Sequence, residues 1–259
     1  MQALLIGCGK MGGALISQWV KAPNMSFTIV DPGLTEPLPG TRLETEPANL
    51  NSQRFDIVIV AIKPQLVDTI LPLYKDLLEK SGVLVSIAAG CSVERLQAAM
   101  ENVPVIRVMP NLPCEIGKGV SGLFFSSEVN EQHRSSIEAL MTLTGSVVWV
   151  ENEDDLDKIT AIAGSGPGYV FEIARAYVDA AIELGFSQTE ARALVLGTMA
   201  GTIEMAQEAD QSLETLRNNV TSKNGTTQAG LDALNGDQSL SRLLKAAAQS
   251  AYKRAIEMR

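Results

Sequence analysis

Short apolar runs alternate with amphipathic stretches along the first 150 residues of the chain. Continuous apolar runs separated by helix-length segments are typical of a parallel sheet that is covered on both faces. Buried strands are therefore predicted at Ala3–Ile6, Phe27–Val30, Asp56–Ile62, Val83–Ile87 and Val103–Met109. Two further strands, at Gly119–Ser126 and Ser146–Val150, would flank a polar helix at Asn130–Leu143. The pattern predicts a doubly wound α/β domain over residues 1–150.

The chain changes character after residue 150, where acidic residues crowd a short stretch and strand-like runs end. Asp154 and Asp155 suit the first turn of a helix, where carboxylates meet the positive end of the helix dipole. No histidine or further carboxylate cluster favours a metal site instead. We predict an all-helical domain over residues 151–259. Its helices are expected at Gly166–Leu184, Gln188–Gln207, Leu213–Asn218, Thr226–Leu234 and Ser239–Met258.

Two of these helical segments are apolar around much of their circumference, from Ser165 to Ala181 and from Thr189 to Met205. A helix of this kind needs burial on more than one side. Because oligomers are mostly symmetric assemblies of identical chains, a second copy is a natural cover. We predict a homo-oligomer, at least a dimer, that associates through the helical domain.

Composition narrows the classes of function. Hydrophobic residues make up 46% of the chain, which is typical of a globular protein with a sizeable core. The net charge of −9 argues against nucleic acid as a partner. No apolar run approaches the roughly 18 residues of a membrane-spanning helix, and no basic segment precedes the first strand. Cys8, Cys91 and Cys114 lack C-x-x-C spacing, so we expect neither a disulfide framework nor a metal site, and a cytoplasmic location.

A glycine-rich turn directly follows the first predicted strand. Gly7–Gly12 has the sequence G-C-G-K-M-G, which is G-x-G-x-x-G, and a predicted helix follows at once. Gly7 would permit a tight turn, Gly9 would let the backbone approach a pyrophosphate, and Gly12 would allow close helix packing. The helix N-terminus would offer free N–H groups to the anion. We predict a dinucleotide site here rather than a merely structural turn.

Asp31 ends the second predicted strand, about 20 residues beyond the glycines, where an acidic side chain can accept hydrogen bonds from the adenosine ribose. No cation follows it before Arg42, so the usual basic clamp for a 2′-phosphate is missing. This favours NADH at least as much as NADPH. The alternative is that Asp31 only caps the turn that it forms with Pro32 and Gly33.

A second polar motif lies in the helical domain, over Asn219–Leu231. Gly225 would free the backbone there, and Thr226 and Thr227 lie at or near a helix start. N–H groups and hydroxyls would then converge where a substrate carboxylate could be held. On the chemistry of these residues alone, an ordinary Ser/Thr helix cap is the simpler interpretation.

Several motifs occur in one order and spacing along the chain: the glycine loop with Gly13, Ala61–Pro64, Met109–Asn111, Gly164–Phe171 and Val220–Leu231. Together they resemble the 1-pyrroline-5-carboxylate reductase family, from Gln2 to about Tyr252. The resemblance implies an N-terminal Rossmann-type domain and a helical dimerisation domain. It also implies NADPH or NADH as the cofactor and reduction of a cyclic imine to L-proline, the last step of proline biosynthesis.

The same resemblance implies roles for individual residues. It places the cofactor on Gly7, Cys8, Gly9, Lys10, Met11, Gly12, Ala61, Ile62, Lys63, Pro64, Ala89 and Asn111, with Asn49 as a weaker candidate. The substrate carboxylate would lie on Ser222, Gly225, Thr226 and Thr227, and the Thr227 hydroxyl would reach the ring nitrogen as the catalytic group. Two positions depart from the family pattern: Lys223-Asn224 replaces the common Pro-Gly, and Gly168 stands where many members have Ala.

Hydride transfer to an imine requires few protein acids, because the cofactor carries the difficult chemistry. We accordingly place His133, the one histidine, on the solvated face of a polar helix. The proton on the ring nitrogen could arrive with the substrate or be relayed from water by Thr227. A related imine or keto-acid reductase, or a nucleotide-sensing protein without turnover, would fit the same plan. An assay of cofactor oxidation with the cyclic imine distinguishes these functions.

Overall fold

The structure, a computed structural model, describes residues 1–50 and 53–258 of the chain. Its strands are β1 (Gln2–Ile6), β2 (Ser26–Val30), β3 (Thr41–Glu44), β4 (Phe55–Val60), β5 (Leu78–Ser86), β6 (Val105–Met109), β7 (Gly119–Phe125) and β8 (Gly145–Trp149). Its α-helices are α1 (Lys10–Trp19), α2 (Val67–Ile70), α3 (Val93–Met100), α4 (Glu131–Thr142), α5 (Asp155–Ile159), α6 (Gly166–Glu183), α7 (Gln188–Glu208), α8 (Leu213–Asn219), α9 (Thr226–Asn235) and α10 (Ser239–Glu257). Thr160–Gly164 forms a π-helical turn between α5 and α6.

The strands form one mixed sheet in the order β3-β2-β1-β4-β5-β6-β7-β8, in which only the β6–β7 pair is antiparallel. Strand order reverses at β1, which pairs with β2 on one side and with β4 on the other. Ile6 is in register with both Val30 and Val60, so strands β1, β2 and β4 end at the same edge of the sheet. Ligands of open α/β sheets bind at such a switch point, outside the carboxyl ends of the strands.

Alternate residues of the central strands are buried on opposite faces of the sheet. Leu5, Ile29 and Ile59 belong to one core cluster, and Ile6 and Val60 belong to the other. All five side chains are almost completely buried. This confirms the predicted α/β domain, whose parallel strands are covered on both faces.

His133 corrects one prediction. The sequence placed it on a solvated face of α4, but its side chain is buried and its Nε2–H donates to the Ser81 carbonyl at 2.7 Å. Its helix neighbours Glu131 and Gln132 are exposed. Because its neighbours in the sequence are polar, the pattern did not indicate that the face of α4 with His133 packs on β5.

The chain divides into two compact units, one of Met1–Pro167 with the stretch from Ala251, and the other of Gly168–Ser250. The second unit, called the helical unit below, is all-helical, as predicted. The domain boundary near residue 150 stays a prediction. No helix in the described ranges is both long and apolar enough to cross a membrane.

The helical unit buries few apolar side chains within itself. Its core cluster consists of Ala181, Ala191 and Val195, with Val178 and Met199 packed against it. Large apolar side chains of α6 and α7 remain exposed, namely Val170, Phe171, Ile173, Tyr177, Ile182, Leu194, Leu196, Ile203 and Met205. Exposed apolar surface of this extent is typical of an association interface.

Candidate active site

The glycine loop turns tightly at the carboxyl end of β1. Gly7 has φ +84°, and a Cβ there would lie 2.7 Å from Ile62 Cγ2 and 2.9 Å from the Ala61 carbonyl oxygen. The Gly7 N–H donates to the Val30 carbonyl at 2.9 Å. Only glycine fits this position, because a side chain would meet both a left-handed backbone and the end of β4.

Gly9 and Gly12 differ in their surroundings. A Cβ at Gly12 would lie 3.0 Å from the Gly7 carbonyl oxygen and 3.3 Å from Ala61 Cβ, so this glycine lets α1 pack closely on the loop. A Cβ at Gly9 would meet nothing within 4 Å. Gly9 is the N-cap of α1, and no side chain caps that helix start. Backbone N–H groups are therefore available to an anion at the N-terminus of α1.

A cleft of about 310 Å³ opens beside this loop, at the carboxyl edge of the sheet. Its lining is mostly apolar and small, apart from two lysines. The lining residues are Gly9, Lys10, Met11, Ala61, Ile62, Lys63, Pro64, Ile87, Ala88 and Ala89. The structure thus brings most of the proposed cofactor residues into one cleft. Ile87 and Ala88 line the cleft as well, although they were not among the cofactor residues named from the sequence.

Asp31 lies beside the glycine loop rather than in the cleft lining. Its Oδ2 accepts a hydrogen bond from the Cys8 N–H at 2.5 Å, and its Oδ1 accepts one from the Gly33 N–H at 2.7 Å. Burial, and secondarily the charge of Asp31, raises the pKa of the Cys8 thiol, which keeps this cysteine protonated. Burial and the same charge raise the pKa of Tyr74 to about 12. Asp31 therefore caps its own turn and the glycine loop together.

Asn49 lies at the sheet edge in a short 3-10 segment, Pro47–Leu50, that follows β3. Its backbone N–H donates to the Glu46 carbonyl at 3.2 Å. The structure does not place it in the cleft lining.

Asn111, at the end of β6, uses its side chain within the protein. Its Nδ2 donates to the Ala163 carbonyl at 3.2 Å, and its Oδ1 accepts from the Val120 N–H at 2.8 Å. The side chain is buried. Asn111 thus joins the end of β6 to β7 and to the π-helical turn. Gly164 of that turn also approaches β6, since a Cβ there would lie 2.8 Å from Met109 Cε.

The second polar motif forms the start of α9 in the helical unit. Gly225 is the N-cap, and no side chain caps the helix, so the ordinary Ser/Thr cap is not what the structure contains. A Cβ at Gly225 would collide with Ser222 Oγ. Asn224, with φ +61°, turns the chain into the helix. The side chains of Ser222, Thr226 and Thr227 are exposed.

The start of α9 presents two kinds of hydrogen-bond donor to an anion, namely backbone N–H groups and side-chain hydroxyls. The first N–H groups of α9 have no partner within an α-helix, and they point away from its N-terminus. The hydroxyls of Ser222, Thr226 and Thr227 make no hydrogen bond to another described residue. Among residues 1–50 and 53–258, no cluster of His, Cys, Asp and Glu could hold a metal ion.

Two family models match the chain. One, for pyrroline-5-carboxylate reductase dimerisation, covers residues 153–258. The other, for NADP oxidoreductase coenzyme F420-dependent, covers residues 3–90, which include the glycine loop and β4.

Individual relatives agree with these matches over nearly the whole chain. A pyrroline-5-carboxylate reductase of Haemophilus influenzae is 34% identical, over 99% of this chain and 93% of its own. The solved structure of a pyrroline-5-carboxylate reductase from Coxiella burnetii superposes with a TM-score of 0.91 at 28% identity, over 99% of this chain and 97% of that one. The Plasmodium falciparum pyrroline carboxylate reductase, solved with NADP bound, gives a TM-score of 0.88 at 27% identity, over 100% and 98%.

Proposed function

The chain belongs to the pyrroline-5-carboxylate reductase family, and we propose that the glycine loop and the Ser222–Thr227 loop hold its cofactor and its substrate. The reaction is the reduction of 1-pyrroline-5-carboxylate to L-proline with NADPH or NADH, the last step of proline biosynthesis. The protein is therefore an oxidoreductase that acts on a cyclic C=N bond.

The cofactor assignment rests on one observation: the uncapped start of α1 and the ends of β4 and β5 line a single cleft. The pyrophosphate would lie on the backbone of Gly7–Gly12, because Gly9 leaves room for it. The nicotinamide half would lie along Lys63, Pro64 and Ala89. Asp31 would meet the adenosine ribose with the lone pairs that its two backbone hydrogen bonds leave free. Asn49 and Asn111 are further cofactor candidates.

The substrate assignment rests on the exposed donors at the start of α9. Ser222, Gly225, Thr226 and Thr227 would bind the substrate carboxylate with hydroxyls and backbone N–H groups. A carboxylate held there would fix the orientation of the ring. Lys223, which is exposed beside them, adds positive charge to the same loop.

The bound dinucleotide supplies the hydride, so the protein residues act mainly by binding and orienting. The Thr227 hydroxyl is proposed to lie against the ring nitrogen. It would either bind a substrate that enters already protonated or relay a proton from water, since a free hydroxyl is too weak an acid to ionise by itself. His133 has no part in this chemistry, because its ring is buried against β5.

We further propose the setting in which this chain works. The protein is a homo-oligomer that takes a small-molecule substrate, and we place its dimer interface on the exposed apolar faces of α6 and α7. Residues 1–150 and 151–259 are the proposed domains. The unpaired Cys8, Cys91 and Cys114 support a cytoplasmic location. The net charge of −9 supports the absence of a nucleic-acid partner. A membrane partner is not expected either.

Steady-state kinetics on a matched glycine pair test this function. Gly9→Ala adds a methyl group that meets no protein atom, at φ −68°, so the fold should be unaffected. We expect the cofactor KM to rise by at least about tenfold, because the methyl group would stand where the pyrophosphate approaches. Gly13→Ala adds an equally free methyl group one turn into α1 and should leave the KM unchanged. Equal kinetics for both variants would contradict the proposal that the dinucleotide binds at this loop.

A further inference from the structure

Arg95, in the first turn of α3, joins the segments that follow β4 and β5. Its Nη2 donates to the Pro64 carbonyl at 2.9 Å. Its Nε and Nη2 also bind the two carboxylate oxygens of Asp68, at 2.8 and 2.7 Å, and its Nη1 lies 3.7 Å from Cys91 Sγ. Pro64 lines the cofactor cleft, and Cys91 lies two residues after Ala89, which lines it as well. One guanidinium thus contacts the backbone of one wall and the chain that leaves the other.

The start of α3 is itself held firmly. The Ser92 hydroxyl caps the helix by accepting from the Arg95 N–H at 3.2 Å. Glu153 Oε1 accepts from the Val93 N–H at 2.7 Å and from Arg107 Nη1 at 2.7 Å. The Arg107 side chain on β6 is only 9% exposed, so this ion pair fixes α3 to the sheet. The backbone of Arg95 is therefore held in place, and its side chain extends from there to the Pro64 carbonyl.

The ion pair between Arg95 and Asp68 contributes too little to stability to explain why Arg95 is held against the Pro64 carbonyl. Asp68 is 62% and Arg95 32% exposed, and pairs of this kind add little to stability. The hydrogen bond from Arg95 holds the pKa of the Asp68 carboxyl below its usual value, so Asp68 stays charged and orients the guanidinium fork. The Pro64 carbonyl already accepts the Val67 N–H of the following turn. The added charge-assisted bond from Arg95 restrains that carbonyl from a second direction.

We propose that Arg95 is a positioning residue of the reduction. By holding the Pro64 carbonyl, it keeps the Lys63–Pro64 turn in the position that the nicotinamide half of the cofactor requires. This inference rests on the proposed assignment of the cleft to the cofactor. Because a small displacement of a positioning contact lowers the rate of hydride transfer, the effect should be visible in kinetics and not only in stability.

Three variants of the full-length protein test the role. Arg95→Met removes the guanidinium and keeps a long side chain. Arg95→Lys keeps the charge but not the fork, so one ammonium cannot bind Asp68 and Pro64 in the same geometry. The control is Lys75→Met, which removes the 2.6 Å ion pair between Lys75 and Glu101. That pair joins the chain after α2 to the end of α3, and neither residue lines the cofactor cleft.

We expect Arg95→Met to raise the cofactor KM by about tenfold, or about 1.4 kcal/mol, and to lower kcat, with the imine KM unchanged. Arg95→Lys should recover part of the loss. Lys75→Met should keep the parent's kinetics, and its melting temperature should change little because this ion pair is exposed as well. A folded Arg95→Met with the parent's cofactor KM and kcat would overturn the role of Arg95 alone. If the parent bound neither NADH nor NADPH in equilibrium titration, the proposed function would fall, and this inference with it.

Discussion

The Asp31 carboxylate accepts a hydrogen bond from the Cys8 N–H at 2.5 Å, which ties the end of β2 to the middle of the glycine loop. The second carboxylate oxygen binds the Gly33 N–H. The side chain therefore has a structural task that does not depend on the cofactor. It also leaves a negative charge at the position where the ribose of a dinucleotide is expected.

Cofactor preference follows from that charge. A 2′-phosphate would be repelled by Asp31, and no cation follows in the sequence before Arg42, whose side chain is paired with Glu44 at 2.7 Å. We expect NADH to be used at least as well as NADPH, as judged by kcat/KM for both cofactors under one set of conditions. Asp31→Ser combined with Leu34→Arg should shift the ratio toward NADPH, mostly through KM.

Asp31→Asn is the matched control for that pair. It removes the charge and keeps an oxygen that can accept one of the two backbone N–H groups. An improved use of NADPH in Asp31→Asn would assign the preference to charge. A strong preference of the parent for NADPH would mean that Asp31 only caps the loop.

Thr227→Ala should lower kcat/KM for the imine without changing cofactor affinity. The expected loss is about 1–3 kcal/mol if the hydroxyl meets the ring nitrogen in a buried complex. Thr227→Ser keeps the hydroxyl and should retain most of the activity. Because no side chain caps α9, the melting temperature should not change in either variant. An unaltered kcat/KM in Thr227→Ala would exclude the catalytic role.

The apolar surface of α7 predicts that assembly supports activity. Ile203 is 59% exposed, so Ile203→Lys places a charge on this surface without disturbing the small core of the helical unit. We expect a smaller assembly in light scattering and a loss of activity, because the α9 loop belongs to the same unit. Ile203→Ala should remain assembled. A monomeric Ile203→Lys with the parent's turnover would disprove the link.

Asn111→Ala should destabilise the protein by about 2 kcal/mol, because it leaves the Val120 N–H and the Ala163 carbonyl without their partner. Denaturant unfolding measures this loss. Asn218→Ala, which truncates an exposed amide, should change the free energy of unfolding far less. Similar stabilities for the two variants would show that the Asn111 amide is not needed to hold the π-helical turn.

The sequence predicted the buried strands well, because each is a continuous apolar run between glycine-rich or polar segments. It missed β3, Thr41–Glu44, which lies at the sheet edge, pairs only with β2 and has one strongly apolar residue, Leu43. It also started β5 too late. Leu78 pairs with Phe55 before a register shift, and the polar stretch that follows it conceals the strand. Edge position and irregular register remove the periodic signal on which such predictions depend.

The candidate site was predictable where the lack of a side chain is required, as at Gly7 and Gly12. The network of Arg95 was not, because its partners Asp68, Pro64 and Cys91 come together only through the order of β4 and β5 in the sheet. For Asp31, the sequence offered ribose binding and turn capping only as two alternatives. The backbone partners of its carboxylate become visible only in the folded chain.

The three small residues that form the core of the helical unit, Ala181, Ala191 and Val195, bear on how the protein responds to dilution. Such a core buries too little apolar surface to support eighty or so ordered residues by itself. Folding of the unit and encounter with another copy are then one equilibrium, governed by mass action. The midpoint of thermal unfolding should therefore rise with protein concentration, and a melting temperature has meaning for this protein only together with the concentration at which it was measured.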